Sequence, residues 1–254
     1  MSEIQKLMLS MFFHLRLGVG FIGLSLPLVL VFWGDEVEHV GFAGSMSAYY
    51  HATSKCFLPQ CDKNGNLLSK ECIGAEDGRG PMRNWFVGNL FFIGAAMFLL
   101  KGFSFWEDWA LNIAGIAAPC VALIPMAWPC PTKVLSIHSF HFPSAMAFFI
   151  CAGFTCVFCS EKTLREAQKQ GKGSKVISLF RSAYICLGIA MVALPALAWI
   201  FAYNSGHKGF YLEMSGVVAF GAYWLVKTYE LHWSQIEVKA LTGQLPAMNP
   251  KSLF

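Results

Sequence analysis

Six stretches of the chain are long and apolar enough to cross a lipid bilayer, and polar or proline-rich segments separate them. A hydrocarbon core about 30 Å thick needs roughly 20 apolar residues in a helix that rises 1.5 Å per residue. The stretches are Leu17–Trp33, Trp85–Leu100, Trp109–Trp128, Ile137–Cys159, Ala183–Tyr203 and Phe210–Leu231. His14 and Arg16 sit where they can snorkel at the start of the first, which leaves room for it to begin upstream. Pro119 and Pro125 are expected to kink the third, and Pro195 lies in the fifth. Neighbouring helices must then satisfy the freed carbonyls. Between the first two stretches, Gly34–Arg83 is polar, and its later part, Thr53–Pro81, reads as an exposed loop rich in Lys, Asp, Asn and Gly. The pattern predicts an all-α protein: a polytopic transmembrane helical bundle of about six spans, with a long extracytoplasmic segment after span one. Residues 1–254 are expected to form one transmembrane domain, with 54–82 as the extracytoplasmic loop. Residues 161–175 are a cytoplasmic linker, and 232–254 a cytoplasmic tail that suggests a surface helix followed by disorder.

Composition agrees. Only 13% of the 254 residues are charged, against about 25% in soluble domains, and 23 Phe with 8 Trp suit lipid-facing surfaces and interfacial belts. A net charge of +4 is too small and too scattered to suggest a nucleic-acid partner. No small-residue cleavage site follows a short apolar run at the N-terminus, so insertion is expected to use the first span itself. The charge distribution gives an orientation. Lys162, Arg165, Lys169, Lys172, Lys175 and Arg181 crowd the segment after the fourth span, which the positive-inside rule assigns to the cytoplasm. Six spans then leave both termini cytoplasmic, consistent with Lys6, Arg16, Lys227 and Lys239, in a bacterial inner membrane.

This orientation puts Cys56, Cys61, Cys72 and Cys130 outside, where disulfides form. Four cysteines allow three pairings, and free thiols are the plainer alternative. Cys120, Cys151, Cys156, Cys159 and Cys186 fall in or at the ends of spans and read as small packing residues. Five of the seven histidines, His39, His51, His138, His141 and His207, fall at the outer ends of spans.

The polar run Ser45-Met46-Ser47-Ala48-Tyr49-Tyr50-His51 is the focus of the chain's chemistry. In a helix Ser47 and His51 stand at i and i+4, within reach of each other. His138 and His141 lie within one turn, and an interfacial histidine satisfied by water or a carbonyl is the bland reading of each. Glu213, about one turn into the last span, must be protonated, paired with Arg83 or a histidine, or face a wet cavity. Lys227 reads as a snorkelling anchor. Together, three imidazoles and a water describe a catalytic zinc site. The metal candidates are His51, His138, His141 and His207, with Ser47 as oxyanion stabiliser and Glu213 as base.

The segments Ser45–His51, Arg83-Asn84-Trp85-Phe86-Val87-Gly88, and His141-Phe142-Pro143-Ser144-Ala145 with Phe148-Phe149, followed by Glu213, Trp224 and Lys227, resemble a widespread family of uncharacterised bacterial multi-span membrane proteins. More distantly, Ser47-x3-His51 followed by a span opening at Asn84 resembles the superfamily of alkaline ceramidases and progestin/adiponectin-type receptors. That resemblance implies a lipid-amide hydrolase with a zinc ion held by three histidines, and it makes Asn84 a catalytic-site candidate. Asn84 stands where that superfamily has Asp, and the late His-x3-His pair is replaced by the earlier His138-x2-His141. The span count is six rather than seven.

The expected function is an integral membrane protein with a polar pocket at the outer ends of its helices. It would bind a lipid or small amphipathic ligand, or act as a subunit or sensor, with the lipid bilayer as its standing partner. A zinc-dependent membrane-embedded hydrolase of a lipid-like amide or ester, and a small transporter, stay open beside it, and so does whether the chain is an enzyme.

Overall fold

The structure, a computed structural model, describes residues 1–62, 66–68, 70–72, 80–130, 137–202 and 205–244. Among these, six long helices carry the fold: α1 (Glu3–Glu36), α2 (Arg83–Leu99), α3 (Phe105–Leu123), α4 (Ile137–Lys169), α5 (Ser174–Phe201) and α6 (Lys208–Ser234). A short α7 (Ile236–Leu241) follows. Four of them, α1, α4, the Ser174–Ala198 part of α5, and α6, are long and apolar enough to cross a membrane. The 17-residue α2 is shorter, and the 19-residue α3 opens with Glu107 and Asp108.

Each long helix packs on the one before it in sequence, and α6 closes the ring against α1. Neighbours run antiparallel, so the starts of α1, α3 and α5 share one end, here called the inner end, with the close of α6. Small residues permit the tightest crossings. A Cβ on Gly23 would lie 2.9 Å from the Gly221 Cα, and one on Gly94 would lie 2.7 Å from the Gly115 carbonyl oxygen. The ring encloses Val19, Ile93, Met97, Phe148, Phe220 and Trp224 toward the inner end, and Leu26, Leu30, Tyr49, Phe86, Val121 and Phe210 toward the other. Its outside is apolar as well: Phe21, Phe32, Ile116, Ile150, Phe158 and Ile189 are all exposed. An apolar belt of this kind is a liability in water and a match for lipid.

The helices outrun the apolar stretches at the inner end. α1 begins at Glu3 under a capping box, in which the Ser2 hydroxyl accepts from the Gln5 amide and the Gln5 side chain accepts from the Ser2 amide. α5 begins at Ser174, ahead of the expected Ala183. The 161–175 linker is largely helical, because α4 passes through a π turn at Thr155–Cys159 and continues to Lys169. α3, by contrast, stops at Leu123, short of Trp128. Pro125 drives Ile124 out of the helical region to φ −108°, ψ 83°, so it terminates the helix where a kink is expected. Residues 203 and 204, at the end of the fifth stretch, and the tail beyond 244 lie outside the described residues.

At the end opposite α7, two disulfides join Cys56 to Cys72 and Cys61 to Cys130. They select one of the three pairings the sequence allows. The second ties the loop after His51 to the segment after α3 across 69 residues of chain.

Candidate functional site

Residues 40–52 form no regular helix beyond a 3-10 turn at Ser47–Tyr50, yet they are packed into the mouth of the ring. Val40, Ala43, Tyr49 and Ala52 are 0% exposed, and Met46 and Ala48 are 2% exposed. A buried irregular backbone must find partners for its amides and carbonyls, and α6 supplies several. The Phe210 amide, one of the orphan donors of that helix's first turn, bonds the Gly44 carbonyl at 2.8 Å. Glu213, one turn further, accepts from the Ser45 hydroxyl at 2.7 Å and from the Ser47 amide at 3.0 Å. The acid is therefore partnered by hydroxyl and amide, while Arg83 lies over the Tyr50 ring, 4.7 Å from its centroid.

The histidines at 138 and 141 are explained by the early end of α3. A helix leaves its last carbonyls without intrahelical donors, and here imidazoles cap two carbonyls just past the break. His141 Nδ1 bonds the Ile124 carbonyl at 2.7 Å, and His138 Nδ1 bonds that of Pro125 at 2.8 Å. A carbonyl accepts only, so each Nδ1 carries a proton, and in the neutral ring Nε2 is then an acceptor. Into the Nε2 of His141 the Ser47 hydroxyl donates, at 3.0 Å. Ser47, His141 and Glu213 thus meet, from three separate parts of the chain, with Ser47 5% and His141 8% exposed.

This polar layer separates two spaces. On one side is a cleft of about 440 Å³ whose walls include Ser45, Phe57, Leu58, Trp128, His138, His141 and Lys208. On the other is a chamber of about 60 Å³ inside the ring, roofed by Met46, Ser47 and Glu213 and walled by Leu26, Phe86, Leu90, Ala118, Phe148 and Val217. Both are lined mainly by apolar groups, but the cleft also presents Ser45, His138, His141 and Lys208.

The other expected site residues fall differently. Ser47 and His51 do not pair, because a 3-10 turn does not bring i and i+4 onto one face. His51 caps that turn and stacks on Trp128, with centroids 5.9 Å apart and planes 8° apart. Burial pushes its pKa down to about 4; the Met126 carbonyl opposes this, while His138, Arg83 and His141 reinforce it. His207 stacks on Phe42 at 4.2 Å and places Nδ1 3.3 Å from the Ala43 carbonyl. Asn84 is exposed in the first turn of α2. Among the described residues no three His, Cys, Asp or Glu side chains gather as a metal-ligand set. Of the four metal candidates, His141 has both nitrogens engaged, His138 and His207 each direct Nδ1 at a carbonyl, and His51 stands against Trp128.

A second polar cluster, at the inner end, is absent from the sequence reading. Lys227 is 2% exposed and does not snorkel. Its ammonium donates to Glu230 at 2.8 Å and to the Thr163 hydroxyl at 2.7 Å, and the Tyr184 hydroxyl donates to the same Glu230 oxygen at 2.9 Å. Nearby, Arg16 makes a bidentate pair with Glu237 at 2.6 Å, clamping α7 onto α1. The i, i+3 spacing of Lys227 and Glu230 inside an apolar run is the signal that reveals such a pair.

Comparisons of the chain with protein-family models, with curated proteins and with solved structures find no match.

Proposed function

We propose that the chain is an integral membrane protein that binds an amphipathic, lipid-like ligand at the outer end of a six-helix bundle. The observation that carries this reading is the Ser47–His141–Glu213 layer between a cleft with polar groups in its wall and an apolar chamber. An amphipathic molecule has one part for each space: the cleft takes the larger part, and the chamber, at about 60 Å³, takes only the tip of an apolar chain. In this reading α2 and α3 also cross the bilayer, completing a ring whose outside is apolar. The disulfide-bearing end faces the extracytoplasmic side and the lysine-rich end of α4 the cytoplasm.

Equilibrium binding of a fluorescent monoacyl lipid to the protein in nanodiscs tests the proposal. Saturable binding is expected, and Ala145→Leu, which fills the chamber, is expected to weaken it about tenfold or more while the protein still folds. Equal binding by both proteins contradicts it.

One observation favours a second reading, hydrolysis. A serine donating to a neutral imidazole whose other nitrogen is fixed by a carbonyl is the arrangement of a nucleophile and its general base. Glu213 beside the pair would favour the imidazolium that forms when the serine proton transfers. Turnover of an acyl ester that vanishes in Ser47→Ala supports this reading. A zinc-dependent form of it requires His141 to release one of its two partners, and metal analysis of protein never exposed to chelator tests that form.

A further inference from the structure

The Ser47–His141 hydrogen bond and the Glu213 carboxylate stand between the cleft and the chamber, so a molecule that occupies both spaces must pass around the edge of that layer. The wall residues locate the edge. α1, α2 and α3 line the chamber, but among the described residues only α4 and α6 are helices that line both spaces. On α4, His138, His141 and Phe142 wall the cleft, and Ala145, Phe148 and Phe149 follow them down into the chamber. On α6, Gly209 walls the cleft, and Glu213 and Val217 the chamber. Steps of three and four residues keep each series on one side of its helix.

The seam between these two helices is thinly covered. α4 and α6 scarcely touch each other, and toward the inner end α5 fills the gap by packing on both. There Gly188 lies against Cys156 and Val157 of α4, and Tyr184 against Tyr223 of α6. Further out α5 parts from α4. Val192, one turn beyond Gly188, is 63% exposed, and none of the described residues from Val192 to Ala202 is buried. The facing stripe of α4 changes in the same way: Val157 and Gly153 meet α5, whereas Met146 and Phe142 are exposed. The chamber feels this on one side only. Its wall residues Ala118 and Val121 on α3 are buried, while Ala145 and Phe149 on α4 and Glu213 and Val217 on α6 are half-buried. The seam ends where the Phe149 ring lies on Gly216, so close that a Cβ there would be 2.9 Å away. From Phe142 to Phe149 it runs about 10 Å along α4.

A slot that joins a cleft to an apolar chamber and opens sideways on an apolar belt suits a hydrocarbon chain lying along the helices, and a bilayer supplies such chains. The chamber, at about 60 Å³, takes the tip alone, which leaves the length above it to the seam. We propose that the outer part of the α4–α6 seam is a side entrance for a single-chain lipid of the outer leaflet. The headgroup lies in the cleft, the chain runs down the seam between Phe142 and Phe149, and the methyl end enters the chamber. The inference rests on the lipid-binding reading above and adds the source and the route: the ligand comes from the bilayer, not from water through the cleft.

Two lysophosphatidylcholines test it, one with a diazirine at the methyl end of its chain and one with the diazirine beside the carbonyl. Each is irradiated with the protein in nanodiscs, with and without an excess of unlabelled lipid. The methyl-end probe is expected on Phe148 and Val217 and the carbonyl-side probe on Phe142 and Met146, all displaced by the excess. Met146→Trp narrows the seam from an exposed position that walls neither cleft nor chamber, and is expected to lower both sets of adducts about tenfold at unchanged thermal stability. The wild-type adducts decide the matter whether or not that variant folds. If the carbonyl-side probe instead labels Phe57, Leu58 and Trp128 and is displaced there, the chain is threaded through the cleft; the side entrance is then refuted and the lipid-binding reading stands. If no adduct is displaced by the excess, both fall.

Discussion

The two ends of the bundle both bury acids and hydroxyls, but they do so in different ways. At the inner end Lys227, Glu230, Thr163 and Tyr184 project from continuous helices, and the charges neutralise each other at hydrogen-bond distance. Glu230 Oε1 and Trp224 Nε1 lack partners there, yet neither residue lines the cleft or the chamber. At the outer end Glu213 has no cation bonded to it among the described residues; hydroxyl and amide groups of an irregular segment hold it, with space on either side. Ionic pairing within packed helices is the pattern of structure. Unneutralised polarity on broken backbone beside a cavity is the pattern of a site. The covalent chemistry divides in the same way, with both disulfides at the outer end and free, buried Cys156 and Cys159 along α4 toward the inner end.

Breaking the inner pair should have the largest effect. Lys227→Ala leaves Glu230 buried without its cation and is expected to destabilise the protein by about 3–5 kcal/mol in thermal or denaturant unfolding. The double variant Lys227→Met/Glu230→Gln should recover most of that, and ligand binding by whatever protein folds should be unaltered. If Lys227→Ala instead abolishes lipid binding at full stability, the division between the two ends is wrong.

Acid should act at the outer end. His51 has its pKa near 4 when folded and near 6.5 when unfolded. The unfolded chain therefore binds the proton first, and stability falls as pH drops from about 6.5 toward 4. The contribution of this one group is about 3 kcal/mol. His51→Phe should flatten that part of the stability–pH curve, and an unchanged slope would refute the assignment. Glu213→Gln disturbs the bonds from the Ser45 hydroxyl and the Ser47 amide and is expected to lower stability by about 2 kcal/mol. Ser47→Ala removes one hydroxyl from His141 and should have the smallest effect, about 1 kcal/mol in unfolding; a much larger loss would show that the serine anchors the whole segment.

The helices were legible in the sequence because apolar runs of span length are hard to disguise: each of the six stretches overlaps a helix, and four of those helices are long and apolar enough to cross a membrane. What escaped was set by local backbone. The ends of α1 and α5 extend through amphipathic flanks that hydropathy alone discounts, and α3 is cut short by the steric demand of one proline. The convergence of Ser47, His141 and Glu213 could be anticipated from their placement at the outer ends of spans. Their bonding could not, because it depends on a 3-10 turn, which separates Ser47 from His51, and on carbonyls that exist as acceptors only because α3 stops at Leu123. Lys227 reads as an anchor in the sequence for the opposite reason. Its partners Thr163 and Tyr184 lie on other helices, and only Glu230 is close enough in sequence to hint at the pair.

The most direct measurement is photo-crosslinking with a monoacyl lipid that carries a diazirine on its chain, applied to the protein in nanodiscs and mapped by mass spectrometry. Adducts on Phe148, Val217 and Leu90, which wall the chamber, reduced by Ala145→Leu, are the expected result. Labelling confined to the exposed belt at Phe158, Ile150 and Ile189, unchanged by that substitution, would contradict a ligand site at the Ser47–His141–Glu213 layer.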